Sequence, residues 1–256
     1  MRKYKFTNVY RELDRVTIWI RQHIREPYAK DPHLWFMLCM ARQINHPETL
    51  REIIYSNTMA WPKNNKWKSE VLLKMLRDRA ARGEKVYTGA YIINAAGGAK
   101  GEFDKPFVTA QRALKQPWDA RHTVDGAAHH SMQNMVEWLM QFNGWGRFMA
   151  YEVACDMRYT RYLQNAKDRN TWAGYGPGAL RGMGRLLGRY PKAREMLPGM
   201  LELREKIAAK WEYLPQLEMR EIEHSLCEFD KYERARLGEG RPKSIFVPTT
   251  NSWKGN

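Results

Sequence analysis

A chain of 256 residues that is 43% hydrophobic can bury a sizeable core, and its 43 Lys plus Arg against 28 Asp plus Glu leave a formal charge of +15 spread along its length. Such a field favours polyanionic partners, phosphate above all, though it also serves plain solubility. The start, MRKYKFTNVYRELDR, has no apolar leader, no later run approaches a membrane span, and Cys39, Cys155 and Cys227 lack paired spacing; secreted, disulfide-framed and membrane proteins are not expected, and the cytoplasm is.

Residues 8–26 place Val9, Leu13, Val16, Ile20 and Ile24 at helical spacing, with Asn8 as N-cap and Pro27 as stop. The other face carries Arg11, Asp14, Arg15 and Arg21, which is either a solvated face or a polar contribution to a site. Residues 33–45, HLWFMLCMARQIN, predict a helix buried on most sides, and PETLREIIYSN a short amphipathic helix opened by its proline. A helix from about 67 to 82 turns Val71, Leu72, Met75 and Leu76 inward. In residues 86–99, VYTGAYIINAAGGA, a strand is arguable but too short and glycine-rich for a sheet; Gly97 and Gly98 lack the G-x-x-x-x-G-K-[ST] pattern of a nucleotide phosphate loop. Another short helix is predicted over 107–115. Residues 122–142 bring His122, His129 and His130 together without a metal-binding spacing, beside an inward stripe of Ala128, Met132, Met135, Val136 and Leu139.

The chemistry concentrates between 144 and 189. GWGR, residues 144–147, predicts a tight glycine turn that would let backbone approach a DNA phosphate, followed by a helix over 148–163. On that helix Glu152 and Asp156 stand one turn apart, where mutual repulsion or burial suits acid/base work; Arg158 and Arg161 would equally hold them as ion pairs. Gly176, Pro177 and Gly178 then open a helix with Ala179, Leu180, Met183, Leu186 and Leu187 inward, and Arg181, Arg185 and Arg189 forming a basic stripe. Free N–H groups, a positive helix end and guanidinium donors make a phosphate site there, against the alternative of an ordinary cap and solvated face. The glycines at 178, 182, 184 and 188 weaken a helix unless something packs closely on it. A helix near 200–211 precedes 217–237, where Met219, Ile222, Leu226 and Phe229 are buried and Glu223, His224, Cys227, Glu228, Asp230, Lys231 and Arg234 form surface ion pairs or a functional face. The acidic neighbours of Cys227 argue against a nucleophilic thiolate. These elements predict an all-α protein: a compact multi-helix catalytic and DNA-binding domain over residues 1–237, with a basic arm over 238–256.

Four stretches, FTNVYRELDRVTIWIR, FMAYEVACDMRYT, GYGPGALRG and IEHSLCEFDKYERARLGEGRPKS, together resemble the ordered landmarks of a bacteriophage family that hypermodifies thymine in DNA. It is the alpha-glutamyl/putrescinyl-thymine pyrophosphorylase group, similar to amino acid:DNA transferases and to the helical domain named for 5-hydroxymethyluracil DNA kinases. The resemblance implies a helical fold distantly similar to helix-hairpin-helix DNA glycosylases. It also implies a transferase that replaces the phosphate or pyrophosphate on 5-hydroxymethyluracil in phage DNA with an amine. Double-stranded DNA carrying the phosphorylated base and an amino acid or polyamine donor are the implied partners, in the cytoplasm of an infected host. No cofactor is implied, and a divalent metal has no sequence signature. Arg11, Asp14, Asp156, Gly176, Gly178, Arg181, Glu223, Cys227, Glu228 and Lys231 match the family's motif positions.

From the residue types, Asp156, Glu152, Glu223 and Asp14 are the candidate catalytic carboxylates, and Arg11, Arg15, Gly176, Gly178, Arg181, Arg185 and Lys231 the candidates for phosphate and substrate binding. Asp156 follows Gly146 by only ten residues, too close for the glycosylase arrangement. A glycosylase-like or kinase-associated enzyme, and a DNA-binding protein without catalysis, are the alternatives.

Overall fold

The computed structural model describes residues 4–88, 103–128 and 130–240. The arguable strand from residue 89 onward, Gly97 and Gly98, His129 and most of the basic arm lie outside the described residues. The protein is all-α. Its helices are α1 (Arg15–Ile20), α2 (Leu34–Ile44), α3 (Pro47–Tyr55), α4 (Ser69–Ala81), α5 (Lys105–Phe107), α6 (Lys115–Asp119), α7 (Val124–Ala128), α8 (Met132–Met140), α9 (Arg147–Met157), α10 (Pro177–Leu187), α11 (Ala193–Lys210) and α12 (Met219–Leu237). Among the described residues an isolated antiparallel bridge joins Lys63 and Lys66.

The chain clusters into two compact units, Arg15–Gly174 and Met1–Asp14 with Tyr175–Asn256. In the first unit, α2 is buried along its whole length, because its sequence offers apolar side chains on every side. Around it Trp35 meets Trp138 at 5.6 Å, and Phe36 meets Trp67 at 4.9 Å and Trp118 at 4.8 Å between ring centres. The stripe of Ala128, Met132, Met135, Val136 and Leu139 is buried as its spacing predicts. It spans two helices instead of one, because His130 adopts a left-handed φ of 54° and the Ser131 hydroxyl then accepts from the Asn134 N–H to restart the helix as α8.

In the second unit α10, α11 and α12 pack together. The α10–α12 contact depends on two glycines. A Cβ at Gly182 would lie 2.1 Å from the Leu226 carbonyl oxygen, and one at Gly178 2.8 Å from the Cys227 Sγ. These positions let two backbones approach closely, which is the packing partner that so many helical glycines require. Gly188 ends α10 in the left-handed region at φ 66°.

Several predicted elements change. The opening helix over 8–26 is instead a 3-10 turn (Arg11–Leu13), α1 and a π-helical turn (Arg21–Arg25). Asn8 accepts from the Tyr10 N–H within a turn, and Val9 and Leu13 are exposed, since Asp14 closes one unit and Arg15 opens the other. Leu186 and Leu187, expected inward on α10, are about half exposed.

Candidate functional site

Each unit builds its own arrangement around a buried carboxylate. In the first, α9 buries both Glu152 and Asp156. Asp156 is completely inaccessible and forms a bidentate pair with Arg42 of α2: Nε donates to Oδ2 at 2.5 Å and Nη2 to Oδ1 at 2.8 Å. Arg42 also donates to Thr17 Oγ1 at 3.0 Å and Asn45 Oδ1 at 3.3 Å. The fork geometry of guanidinium suits this partner, and the extra acceptors offset the cost of taking two charges out of water. Arg158 and Arg161, the partners the sequence offers, each also donate through Nη2 to the hydroxyl of their own neighbour, Tyr159 and Tyr162. In the sequence Arg42 stands out only as the one charge inside an apolar helix.

The glycine turn before α9 serves packing. Gly144, at φ 88°, has its Cα against Ala113, where a Cβ would come to 2.8 Å, and the Trp145 indole donates to the Ala113 carbonyl at 2.6 Å. The expected close approach of DNA phosphate to that glycine is therefore corrected: protein occupies the face the missing side chain leaves open. Gly146, the N-cap of α9, is unlike it, since a Cβ added there would meet nothing within 4 Å. Arg15, the one basic candidate in this unit, is exposed at the start of α1.

The second unit gathers most of the motif. Of the ten positions carried by the resemblance, Asp156 alone belongs to the first unit; Arg11, Asp14, Gly176, Gly178, Arg181, Glu223, Cys227, Glu228 and Lys231 belong to this one. Its two distant stretches of chain are joined by hydrogen bonds: the Thr7 N–H donates to Glu228 Oε2 at 2.9 Å, and the Tyr10 hydroxyl to the Pro215 carbonyl at 3.2 Å. Lys231 pairs with Glu228 at 2.5 Å and lies 5.0 Å from the Phe6 ring centre. Arg11 is buried, and Asp14, half-buried, closes the 3-10 turn by donating its N–H to the Arg11 carbonyl.

On the α10–α12 pair, Glu223 is buried and its Oε1 receives the Gly176 N–H and the Cys227 thiol, each at 3.4 Å, with an Arg220 guanidinium nitrogen 3.7 Å from Oε2. Burial, then the Glu223 carboxylate, pushes the Cys227 thiol far up, so a thiolate is disfavoured as the sequence suggests. Further along α12 the buried Asp230 collects the basic stripe: Arg181 Nε donates to Oδ2 at 2.8 Å and Arg185 Nε to Oδ1 at 2.9 Å. Burial alone would raise the Asp230 pKa, but the hydrogen bonds from Arg185 and Arg181 prevail and hold it low. Arg185 also reaches Glu239 at 2.5 Å, and Arg189 turns to Glu195, whose pKa it brings down to about 2 with help from the Lys192 N–H.

The three arginines are thus unequal. Arg185 and Arg189 each spend a second nitrogen on a carboxylate, whereas Arg181 is fixed through Nε, is 46% exposed, and has no hydrogen-bond partner at its terminal nitrogens among the described residues. In the sequence Asp230 belongs to a pattern of surface ion pairs, and nothing there separates it from its neighbours as the anchor of the stripe. No group of three or more His, Cys, Asp or Glu side chains suited to a metal occurs among the described residues, and no helix there is long and apolar enough to cross a membrane.

Fold and site together define an all-helical domain with a pre-oriented guanidinium and a helix-start N–H on one helix pair. The chain belongs to the family of the 5-hmdU DNA kinase helical domain, whose model matches residues 1–241. It is 26% identical over 263 residues to a 5-hmdU DNA kinase of Bacillus phage SP10, a match covering 91% of this chain and 39% of that protein. The chain therefore spans about two fifths of the length of this curated relative. No solved structure matches it. These matches carry the kinase's name and not that of the amine transferases.

Proposed function

We propose that this chain acts in the hypermodification of phage DNA, on 5-hydroxymethyluracil whose hydroxyl bears a phosphate or pyrophosphate, and that it exchanges this group for an amine from an amino acid or polyamine. The observation that carries the reading is Arg181: a guanidinium held at one nitrogen by a buried carboxylate and, among the described residues, without a hydrogen-bond partner at its other two, an arrangement suited to phosphate. The amine nitrogen attacks the exocyclic methylene carbon, the carbon–oxygen bond to the phosphate breaks, and its electron pair leaves with the phosphate toward Arg181. The proton released from the amine passes to Glu223, which lies on the same α10–α12 pair as Arg181. Lys231, Arg11 and the Gly176 turn belong to the same unit and extend its basic character.

A second reading is favoured by the relative's name and by the share of its length that the chain spans: a helical part that presents hydroxymethyluracil DNA to a kinase whose phosphoryl transfer occurs elsewhere. Mass spectrometry of nucleosides separates the two. Phosphorylated hydroxymethyluracil duplex incubated with a mixture of amines should yield the amine adduct and free phosphate. An unchanged nucleoside pool overturns the transfer; phosphorylation of unmodified hydroxymethyluracil DNA with added nucleoside triphosphate supports the kinase reading, free base release indicates a glycosylase, and binding alone a non-enzymatic protein.

A further inference from the structure

A cleft of about 680 Å³ in the first unit shares no lining residue with the carboxylate arrangements above; Tyr28, Asp31, Asn57, Trp61, Lys63, Asn64 and Lys66 are among its lining residues, so its two lysines outnumber one carboxylate. It lies in the size range of small-ligand sites. Its wall is built, not incidental. Lys63 and Lys66 exchange backbone hydrogen bonds at 3.0 and 2.9 Å across Asn64 and Asn65, both left-handed at φ 51° and 58°. That is a two-residue turn of the primed type, and residues directly opposite in such a pair send their side chains to the same face, so both lysines leave the turn on one side. The turn is pinned to the core: Asn65 Oδ1 contacts His33 Nε2 at 2.5 Å, the Trp67 indole donates to the Ala60 carbonyl at 2.9 Å, and the Lys68 N–H donates to the Met59 carbonyl at 2.9 Å. Tyr28 and Trp61 meet at 5.8 Å between ring centres; burial raises the Tyr28 phenol's pKa, while the Trp61 indole pulls it the other way.

We propose that this cleft binds a pyrimidine nucleotide. The base lies against the Tyr28 and Trp61 surface, the amides of Asn57 and Asn64 pair with its polar edge, and the Lys63 and Lys66 amines take its phosphate. An aromatic wall, amides and two lysines carried on one face of a turn are the three chemistries that a nucleotide presents in complement, and base–aromatic stacking tolerates any pyrimidine. The choice of a pyrimidine rests on the proposed action on hydroxymethyluracil; the nucleotide itself rests on the cleft alone. It enters either as a free mononucleotide or as a residue extruded from DNA.

The test uses the full chain and a photo-cross-linkable 5-iodo-2′-deoxyuridine, supplied as the free 5′-monophosphate or within a short single strand or a duplex, with adducts mapped by peptide mass spectrometry. Adducts on Trp61 or Tyr28 are expected, and K63A/K66A, both exposed, should keep its fold while losing most of the adduct and about tenfold in single-strand affinity. Where the single strand is the labelled probe, its log–log salt slope should fall by about 0.7, for one lost phosphate contact. Adduct with the monophosphate alone assigns a free nucleotide, and K63A/K66A should then lose its affinity for the monophosphate; adduct with DNA assigns an extruded residue. Adducts only outside residues 28–71, no adduct with any probe, or affinity for the labelled probe unchanged in K63A/K66A overturn the proposal. Duplex binding that survives with an empty cleft leaves the proposed function standing, and a labelled cleft in a chain without amine transfer leaves the cleft standing.

Discussion

Asp156 shows how a carboxylate put forward from its spacing can have a partner that the sequence does not disclose. The partner Arg42 is 114 positions away and reaches it through both oxygens, so the pair is first a structural device. Asp156→Asn should destabilise the protein by about 3–5 kcal/mol in chemical denaturation, because it leaves a buried guanidinium without its counter-charge. The double substitution Arg42→Met with Asp156→Leu should recover much of that loss. An Asp156→Asn variant that unfolds like the wild type would contradict the structural role. Where it is folded, the pH profile of amine transfer should match the wild type's, since the proton is assigned to Glu223; Glu223→Gln should abolish turnover while keeping phosphorylated DNA bound. For Asp230 the sign is that of a depressed carboxylate. Its stabilising contribution is complete above the unfolded value of about 3.9 and is lost as pH falls through its lower folded value. The α10–α12 unit should therefore loosen in acid, and Asp230→Asn should remove that part of the acid transition measured by tryptophan fluorescence.

At the scale of elements, the glycines of GYGPGALRGMG divide by geometry in a way their spacing did not disclose. Gly176 is extended with open space around it, Gly178 faces a sulfur that has some freedom, and Gly182 faces a backbone carbonyl that has none. Alanine substitution should accordingly leave stability within about 0.5 kcal/mol at Gly176 and cost about 1–3 kcal/mol, or more, at Gly182, with Gly178 between them. Thermal unfolding gives the order directly; equal losses at all three positions would contradict the close α10–α12 approach. Helix existence was legible wherever one pattern persisted: the wholly apolar run of α2, the Pro47 start of α3, the buried Met219, Ile222 and Leu226 of α12. Boundaries failed where tertiary contacts chose the end. Asp14 and Arg15 fall into different units in mid-pattern, and His130 breaks a stripe that continues on both sides. The basic stripe is legible as a row of arginines, but the carboxylates of Arg181 and Arg185 come from α12 and Glu239, 45 to 54 positions on, and that of Arg189 from Glu195 on α11, which periodicity within one helix does not report. The Lys63–Lys66 turn was missed altogether, although two asparagines between lysines and flanked by tryptophans form a local turn signal.

Over the whole molecule, the charge of +15 is the most general statement the sequence makes; ion pairs leave that excess unchanged, but they decide which of the 43 basic side chains face carboxylates. Arg42, Arg185 and Arg189 all face carboxylates, so affinity for DNA should depend on fewer cations than the composition suggests. Unspecific duplex affinity should fall steeply with salt, and Arg189→Ala, which removes an arginine already paired to Glu195, should leave the slope close to that of the wild type. The central claim is that Arg181, held by Asp230, receives the phosphate on the modified base. It is tested most directly by comparing affinities for two duplexes that differ only in whether hydroxymethyluracil is phosphorylated, with wild type and Arg181→Ala at one salt concentration. The wild type should favour the phosphorylated duplex by about tenfold, the worth of a charged hydrogen bond, and Arg181→Ala should bind both alike at the affinity for the unphosphorylated one. A preference for the phosphorylated duplex that persists undiminished in Arg181→Ala would contradict the claim.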